Sequence, residues 1–551
     1  MILKYQAIMA MDTDMVMGMA MGTDMGTATA MAMERDTMGK KKLLWESSNK
    51  SAEKYLTANM NYKIKKPTLF QAFIPIFFLI IFLALNVKFF GDDTLSGANQ
   101  MALIFAATIA GLIAYRLGLK WKSVSNGIVK SIGSAMPSIL ILFLIGSLAG
   151  TWMISGVVPV MIYYGLKILN PGIFLFASVI ICAIVSLATG SSWSTVATIG
   201  IALLGIGHAM GINEGIVAGA IISGAYFGDK MSPMSDTTNL APAMAGTDLF
   251  THIRYMIYTT GPSILITLII FLILGFTYNF EANQTNVESV LTAIDETFTI
   301  TPILFIVPAL LIYIIVKKVP PLPSLLAGTL LAALFAIILQ PDVVNQISGV
   351  HDNYLKSSYI GVMRSMFGHV DIVTQNAAVN ELLATNGMAG MLNTIWLIVT
   401  AMVFGGVMES AGLLVRITQS VIKFVKSAGA LVASTVATCL FFNITASDQY
   451  IAIVVPGRMY AETYKDHDLK PEVLSRALED SGTVTSVLIP WNTCGATQSG
   501  VLGVPTLTYL PFAFFNIISP LMSIFMAVFN IKIRRIKEKS NSQLEKDKRI
   551  K

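Results

Sequence analysis

Runs of about 20 apolar residues, the length at which a helix crosses a bilayer, recur along this chain. Continuous runs occupy 69–90, 99–117, 137–155, 261–279, 300–316, 322–339, 392–411 and 508–531, and each predicts a membrane-spanning helix. Four more apolar stretches are broken by polar motifs. The stretch 172–188 runs into Thr189-Gly-Ser-Ser-Trp193 and 194–210 leaves it; 213–228 stops at Asp229, and 429–444 stops at Thr445-Ala-Ser-Asp448. An interrupted helix is tolerated at membrane depth only where it is buried in protein or lines a watery cavity. The interruptions are therefore where function is expected.

The broken regions resemble each other. Gly156, Ala177-Ser178, Thr189 and Ser191 match Gly412, Ala433-Ser434, Thr445 and Ser447 at an offset of 256, and Pro233 matches Pro490 at 257. At 256, Asp448 stands where Ser192 does. Ala110-Gly111 resembles Ala327-Gly328 at a smaller offset, which makes 340–391 an inserted loop.

Charge placement supplies an orientation. Basic residues cluster at 40–66, at Arg116, Lys120, Lys122 and Lys130, at Lys317-Lys318, at Arg416, Lys423 and Lys426, and from Lys532 onward. By the positive-inside rule these are cytoplasmic. The acidic loops around Asp92-Asp93 and 280–299, and the loop 340–391, are then outside. The alternation closes with ten crossings if 172–210 and 429–466 each enter and leave on one side.

The predicted fold is an all-α polytopic membrane protein. It has two inverted repeats of five transmembrane helices plus one re-entrant hairpin each, with broken helices at the midplane, an architecture typical of secondary transporters. The expected parts are a disordered Met-rich segment 1–59, a first repeat 60–279, an external linker 280–299, a second repeat 300–531 and a basic cytoplasmic tail 532–551. Residues 1–38 hold 11 of the 30 methionines in near-repeats such as MDTDM. Such low-complexity sequence buries no core. The stretch after Met60 reads like the front of the membrane protein, so 1–59 should be dispensable.

Composition narrows the function. Charged residues make up 13% of 551 and hydrophobic ones 54%, against roughly 25% charged in soluble proteins. The basic residues sit in short clusters between apolar runs, which argues against nucleic acid as a partner. Cys182, Cys439 and Cys494, an odd number lying in or beside apolar stretches, argue against disulfides and a cysteine metal site. The five histidines are scattered and read as surface or helix-end residues. No GxxxxGK[ST] loop is present, so ATP-driven pumping is not expected. No Ser/His pair falls in the broken segments, so no catalytic residues and no cofactor are expected.

Ionisable groups in apolar segments cost roughly 2.5 kcal/mol or more near the bilayer centre and need a reason to be there. The stretch from Gly228 to Asn239 holds Asp229, Ser235, Asp236, Thr237 and Asn239, with Pro233 preventing a continuous helix. Hard cations prefer such oxygen ligands, and a carboxylate able to take either H⁺ or Na⁺ is the simplest exchanger. The candidate cation and proton ligands are Asp236, Asp448, Asp229, Ser235, Thr237, Asn239, Thr189, Ser191, Thr445, Ser447, Asn492 and Thr493, with Na⁺ at Asp236 and Asp448. Glu409 and Asp480 are secondary, buried candidates. Asp229-Lys230 reads equally as an ion pair at a helix end, and Arg458 as the neutraliser of a carboxylate.

The motifs ATGSSWSTVATIG (188–200) and GAYFGDKMSPMSDTTNLAPA (224–243), supported by PWNTCGA (490–496), resemble the NhaC-type Na⁺/H⁺ antiporters of the wider ion-transporter superfamily. The resemblance covers roughly 63–535. It implies a bacterial plasma-membrane antiporter exporting Na⁺ in exchange for H⁺, with hairpin tips meeting broken helices at the site and an elevator-like motion. Other members exchange malate and protons against lactate and sodium, or are linked to amino-acid uptake. The partners implied are sodium ion, proton, the lipid bilayer and, in the alternative, a small carboxylate; a homodimer stays open. A channel is the competing class, but paired broken helices carrying carboxylates favour a closed site over a continuous pore.

Overall fold

The computed structural model describes residues 65–90, 97–277, 284–374, 380, 383–422 and 427–536. The elements belong to one compact unit, Lys66–Lys551. The Met-rich segment, Asp92-Asp93, Lys423, Lys426 and the tail from 537 lie outside the described residues, as do the expectations placed on them.

Every named element among the described residues is a helix. Among the described residues nine helices are long and apolar enough to span a membrane, or up to eleven if two bent pairs each count as one. The first half contains α1 Leu69–Phe90, α2 Ala98–Arg116, α3 Trp121–Ile154, α4 Val157–Ile168, α5 Pro171–Thr189, α6 Ser192–Ala209, α7 Glu214–Met231, α8 Asp236–Ala245 and α9 Leu249–Thr277. After α10 Gln284–Thr297 come α11 Pro302–Val316, α12 Pro321–Leu339, α13 Pro341–Ser348, α14 Tyr354–Phe367, α15 Gly387–Ser410 and α16 Leu413–Ile422. Then follow α17 Ala428–Thr445, α18 Gln449–Asp466, α19 Pro471–Leu478, α20 Thr493–Leu502, α21 Thr506–Phe512 and α22 Phe514–Val528. The helix α19 runs on through a π-helical turn, Glu479–Thr483, and a 3₁₀ turn, Ser486–Leu488. Large apolar side chains face outward along α1, α9 and α12, as at Phe70, Phe77, Ile273, Leu330 and Ile338. A row of such residues suits lipid contact, whereas a soluble surface would keep apolar patches small.

The element boundaries carry the repeat further than the residue matches do. Counting forward by 257, α6 (Ser192–Ala209) lands on α18 (Gln449–Asp466) and α8 (Asp236–Ala245) on α20 (Thr493–Leu502). The starts of α5, α7 and α9 land on those of α17, α19 and α21. Backbone special positions follow: left-handed Gly190 (φ 71°) falls on left-handed Ser447 (φ 60°), and Gly246 on Gly503. The sequence offset of 256 is therefore corrected by one at the hairpin tip. Asp448 corresponds to Ser191, and both cap the helix that follows.

Three further expectations are corrected. The run 137–155 is the second half of a longer helix beginning at Trp121, because its polar first turns still pack on the body. The loop 340–391 is largely structured, with α13 and α14 folded back on the molecule. Its anchor is close backbone packing: a Cβ added at Gly146 would lie 2.4 Å from Gly387 O, and one at Gly150 1.8 Å from Ser365 O. Likewise the linker 280–299 contains α10, whose segment Val287–Thr297 is bent 93° from α11. Glycines perform the same service between α5 and α7. A Cβ added at Gly224 would lie 2.2 Å from Val179 O and one at Gly228 2.4 Å from Ala183 O, so neither position admits a side chain. Small residues four apart are how helices approach closely in membranes.

Candidate functional site

Each repeat builds a tip and a break and docks one on the other. In the first, α5 ends at Gly190, whose missing Cβ lets the tip approach Met234 in the break (a Cβ would lie 2.7 Å from Met234 Cβ). Ser191 caps α6 by accepting from Ser194 N at 3.1 Å. The break follows from Pro233, and Ser235 restarts the helix as the N-cap of α8. Asp229, on the last turn of α7, joins the two: its carboxylate accepts from Ser192 N at 3.1 Å and Ser192 Oγ at 2.6 Å. A carboxylate at the N-terminus of α6 also meets the positive end of the helix dipole.

The second repeat uses neutral groups for the same join. Thr493 N donates to Ser447 O at 2.9 Å, Trp491 Nε1 to Ile444 O at 2.8 Å, and Asn492 Nδ2 to Asn443 O at 3.1 Å. Asp448, buried, is left to cap α18 through Ile451 N at 3.0 Å. Ser447 is strained, since a left-handed residue with a Cβ costs about 1–2 kcal/mol. Its hydroxyl is buried with no hydrogen-bond partner. Strain held at a helix break is a recurrent mark of functional backbone.

The repeats interlock at these points. Helix α8 lies on α18, with Met244 against Gly457, and α20 lies on the π-helical turn Val196–Gly200 of α6. Carboxylates from both halves therefore share one neighbourhood. Asp229, Asp236 and Asp448 all lie within electrostatic reach of the Tyr450 hydroxyl. Asp229 is partly buried, whereas Asp236, at the start of α8, is exposed.

The remaining candidates divide by what their side chains do. Ser235 and Thr237 are buried 3.2 Å apart, and Thr237 donates onward to Glu479 Oε1 at 3.0 Å. Asn239 braces the break, donating to Pro233 O and Ser235 O at 2.9 and 2.7 Å. Thr445 donates to Phe441 O at 2.7 Å, and Thr189 makes only long contacts to Ser186 O and Ser191 O. Asn492 caps α20 through Cys494 N at 3.0 Å, with Thr493 Oγ1 donating to Asn492 Oδ1 at 3.4 Å.

Several expectations are corrected here. Glu409 is exposed on the last turn of α15 rather than buried, though within electrostatic reach of Asp448. Lys230 does not pair with Asp229. It is fully buried against Asp480 of the other half and donates to Ser519 Oγ at 3.0 Å. Asp480, also fully buried, accepts too from Thr259 at 3.2 Å and Ser519 at 3.3 Å. Arg458 forms no ion pair among the described residues. His252 is buried, with Nδ1 2.8 Å from Ser475 Oγ. Glu479 escaped sequence reasoning, although the 257 offset would have placed its helix opposite α7 and marked it as core.

Residues 224–531 match the Na⁺/H⁺ antiporter family. The chain is 34% identical over 446 residues to the Na⁺/H⁺ antiporter NhaC of Alkalihalophilus pseudofirmus, covering 81% of itself and 93% of the relative. It is 37% identical over 460 residues to the malate-2H⁺/Na⁺-lactate antiporter of Bacillus subtilis, covering 83% and 93%. Over 467 residues it is 34% identical to the arginine/ornithine antiporter ArcD of Halobacterium salinarum, covering 84% and 92%. With its paired tips and breaks, and this extent of identity, the chain is a multi-pass membrane protein that belongs to the Na⁺/H⁺ antiporter family.

Proposed function

We propose that this protein exports Na⁺ in exchange for H⁺ across the bacterial plasma membrane, using one central site assembled from both repeats. The observation that carries the reading is the convergence of Asp229, Asp236 and Asp448 where two tips meet two breaks, in a chain of this family. Among the described residues no three His, Cys, Asp or Glu side chains converge tightly enough to hold a resident metal. A transported Na⁺ would take hydroxyl and carbonyl oxygens as well as carboxylate, and Ser235, Thr237, Ser447 and the carbonyls of the breaks supply them. A proton taken up as the cation leaves, and released as the cation binds, makes the exchange.

A second reading is exchange of malate and protons against lactate and sodium, as the name of the Bacillus subtilis relative states for that protein. The feature favouring it is that four helices, α6, α8, α18 and α20, begin at the tips and breaks, and helix N-termini suit an organic carboxylate. Proteoliposomes loaded with a pH-sensitive dye separate the two. An inward or outward Na⁺ gradient alone should move protons. Movement that also requires lactate or malate selects the second reading, and none under either condition sinks both.

The repeats are proposed to be inverted, with both termini cytoplasmic and 280–299 outside. Glu296, exposed on α10, is a suitable reporter. In a background lacking the three buried cysteines Cys182, Cys439 and Cys494, Glu296→Cys should react with an impermeant maleimide in intact cells. Reaction only after permeabilisation would reverse the orientation.

A further inference from the structure

Glu479 is a fully buried carboxylate that forms no ion pair among the described residues. The ammonium group nearest in kind, Lys230, is held by Asp480. Oxygen Oε1 of Glu479 accepts from Thr237 at 3.0 Å, and Oε2 makes no hydrogen bond among the described residues, although the Thr483 hydroxyl of the same turn lies beside the carboxylate. An ionised carboxylate in that condition is costly unless a proton or cation neutralises it. The residue opens a π-helical turn, an irregularity found disproportionately at functional sites. Its counterpart 257 positions earlier is Ile222, so the repeat architecture does not require an acid here.

Its surroundings form a line. Thr237 lies 3.2 Å from Ser235, and Ser235 neighbours Asp229, whose own hydrogen bonds go to Ser192. The charged groups facing Glu479 are Asp229 and Lys230 of α7. Of the other elements packed on its turn, α8 presents Thr237 and α17 the Cys439 thiol, beside Ser481 and Gly482. Helix α18 brings Ile453 and α22 brings Asn516 and Ser519. Two hydroxyls thus lie between the carboxylate that joins tip to break in one repeat and a carboxylate inside the other.

We propose that Glu479 carries the exchanged proton and that Ser235 and Thr237 link it to Asp229, where the cation is held; this rests on the antiport reading above. In the step, a proton from water adds to Oε2 on one side of the cycle. That O–H bond breaks on the other side, and the proton returns to water as Na⁺ takes the tip. The hydroxyls rotate to keep Thr237 donating to whichever charge remains.

Glu479→Gln keeps the shape and an acceptor for Thr237 but cannot titrate. It should lower Na⁺-driven proton flux about 100-fold, within the range lost when a positioned proton carrier is removed. Sodium-for-sodium exchange, followed with a radioactive tracer, moves no proton and should continue at the wild-type rate. Glu479→Asp should restore part of the proton flux. Thr237→Val, which leaves Glu479 in place, should shift the pH profile of exchange without abolishing it, and keeps the test open if the Gln variant does not fold. Full proton flux in Glu479→Gln, or an unmoved pH profile in Thr237→Val, overturns the proposal alone. Wild-type vesicles with no Na⁺-driven proton flux overturn the antiport reading and the proposal together.

Discussion

Changing Lys230 to methionine should cost the folded protein roughly 3–5 kcal/mol, because it strands a buried carboxylate without its partner. Asp480 is fully enclosed, and its other donors are the hydroxyls of Thr259 and Ser519. The effect should appear in detergent as a large drop in thermal midpoint and in monodisperse yield. The double variant Lys230→Met with Asp480→Leu should recover most of the loss, since replacing both members of a buried pair with apolar groups is commonly near neutral. A Lys230→Met protein as stable as wild type would mean that the pair does not hold α7 to the second repeat.

The second large effect separates charge from capping at the tip. Asp448 caps α18 through Ile451 N, and Asn caps a helix about as well as Asp. Asp448→Asn should therefore fold normally and yet lose Na⁺-dependent proton movement. Asp448→Ala should lose the transport and also about 1 kcal/mol of stability. Asp236→Asn, at an exposed position, should abolish exchange with no stability change. If H⁺ and Na⁺ share the site, raising the pH of the wild type frees carboxylates and should lower the apparent KM for Na⁺ until they are fully ionised. A variant with Asn at both positions that kept Na⁺-driven flux and the wild-type pH dependence would leave Asp229 as the carboxylate that holds the cation without them.

The sequence made the spans, the tips and the breaks readable because each rests on local chemistry: apolar length, glycine, proline and small polar caps. It was least informative where burial depends on partners far along the chain. The segment from Pro471 through Leu488 carries Glu472, Arg476, Glu479 and Asp480, and, Asp480 apart, does not read as core. It is core because Lys230 and Arg534 answer two of those acids. Trp121 to Met136 does not read as a membrane helix either, its lysines and serines masking a helix that packs by one face. Glu409 erred in the other direction, since an acid in an apolar run can sit on the helix turn that faces out. The repeat was visible but one residue out of register, because small residues match at either offset while caps and left-handed positions match at one.

The pairing of Lys230 with Asp480 also bears on how the protein is made. The two residues are 250 positions apart, and a ribosome adding about 5–20 residues per second separates their appearance by roughly 12–50 s. For that interval α7 has its lysine without its counter-charge, and α8 lacks the α18 surface on which it rests. The first repeat can therefore be integrated only provisionally, and the second completes it. A chain truncated before residue 480 should accordingly leave quality-control proteases an intramembrane cation to recognise.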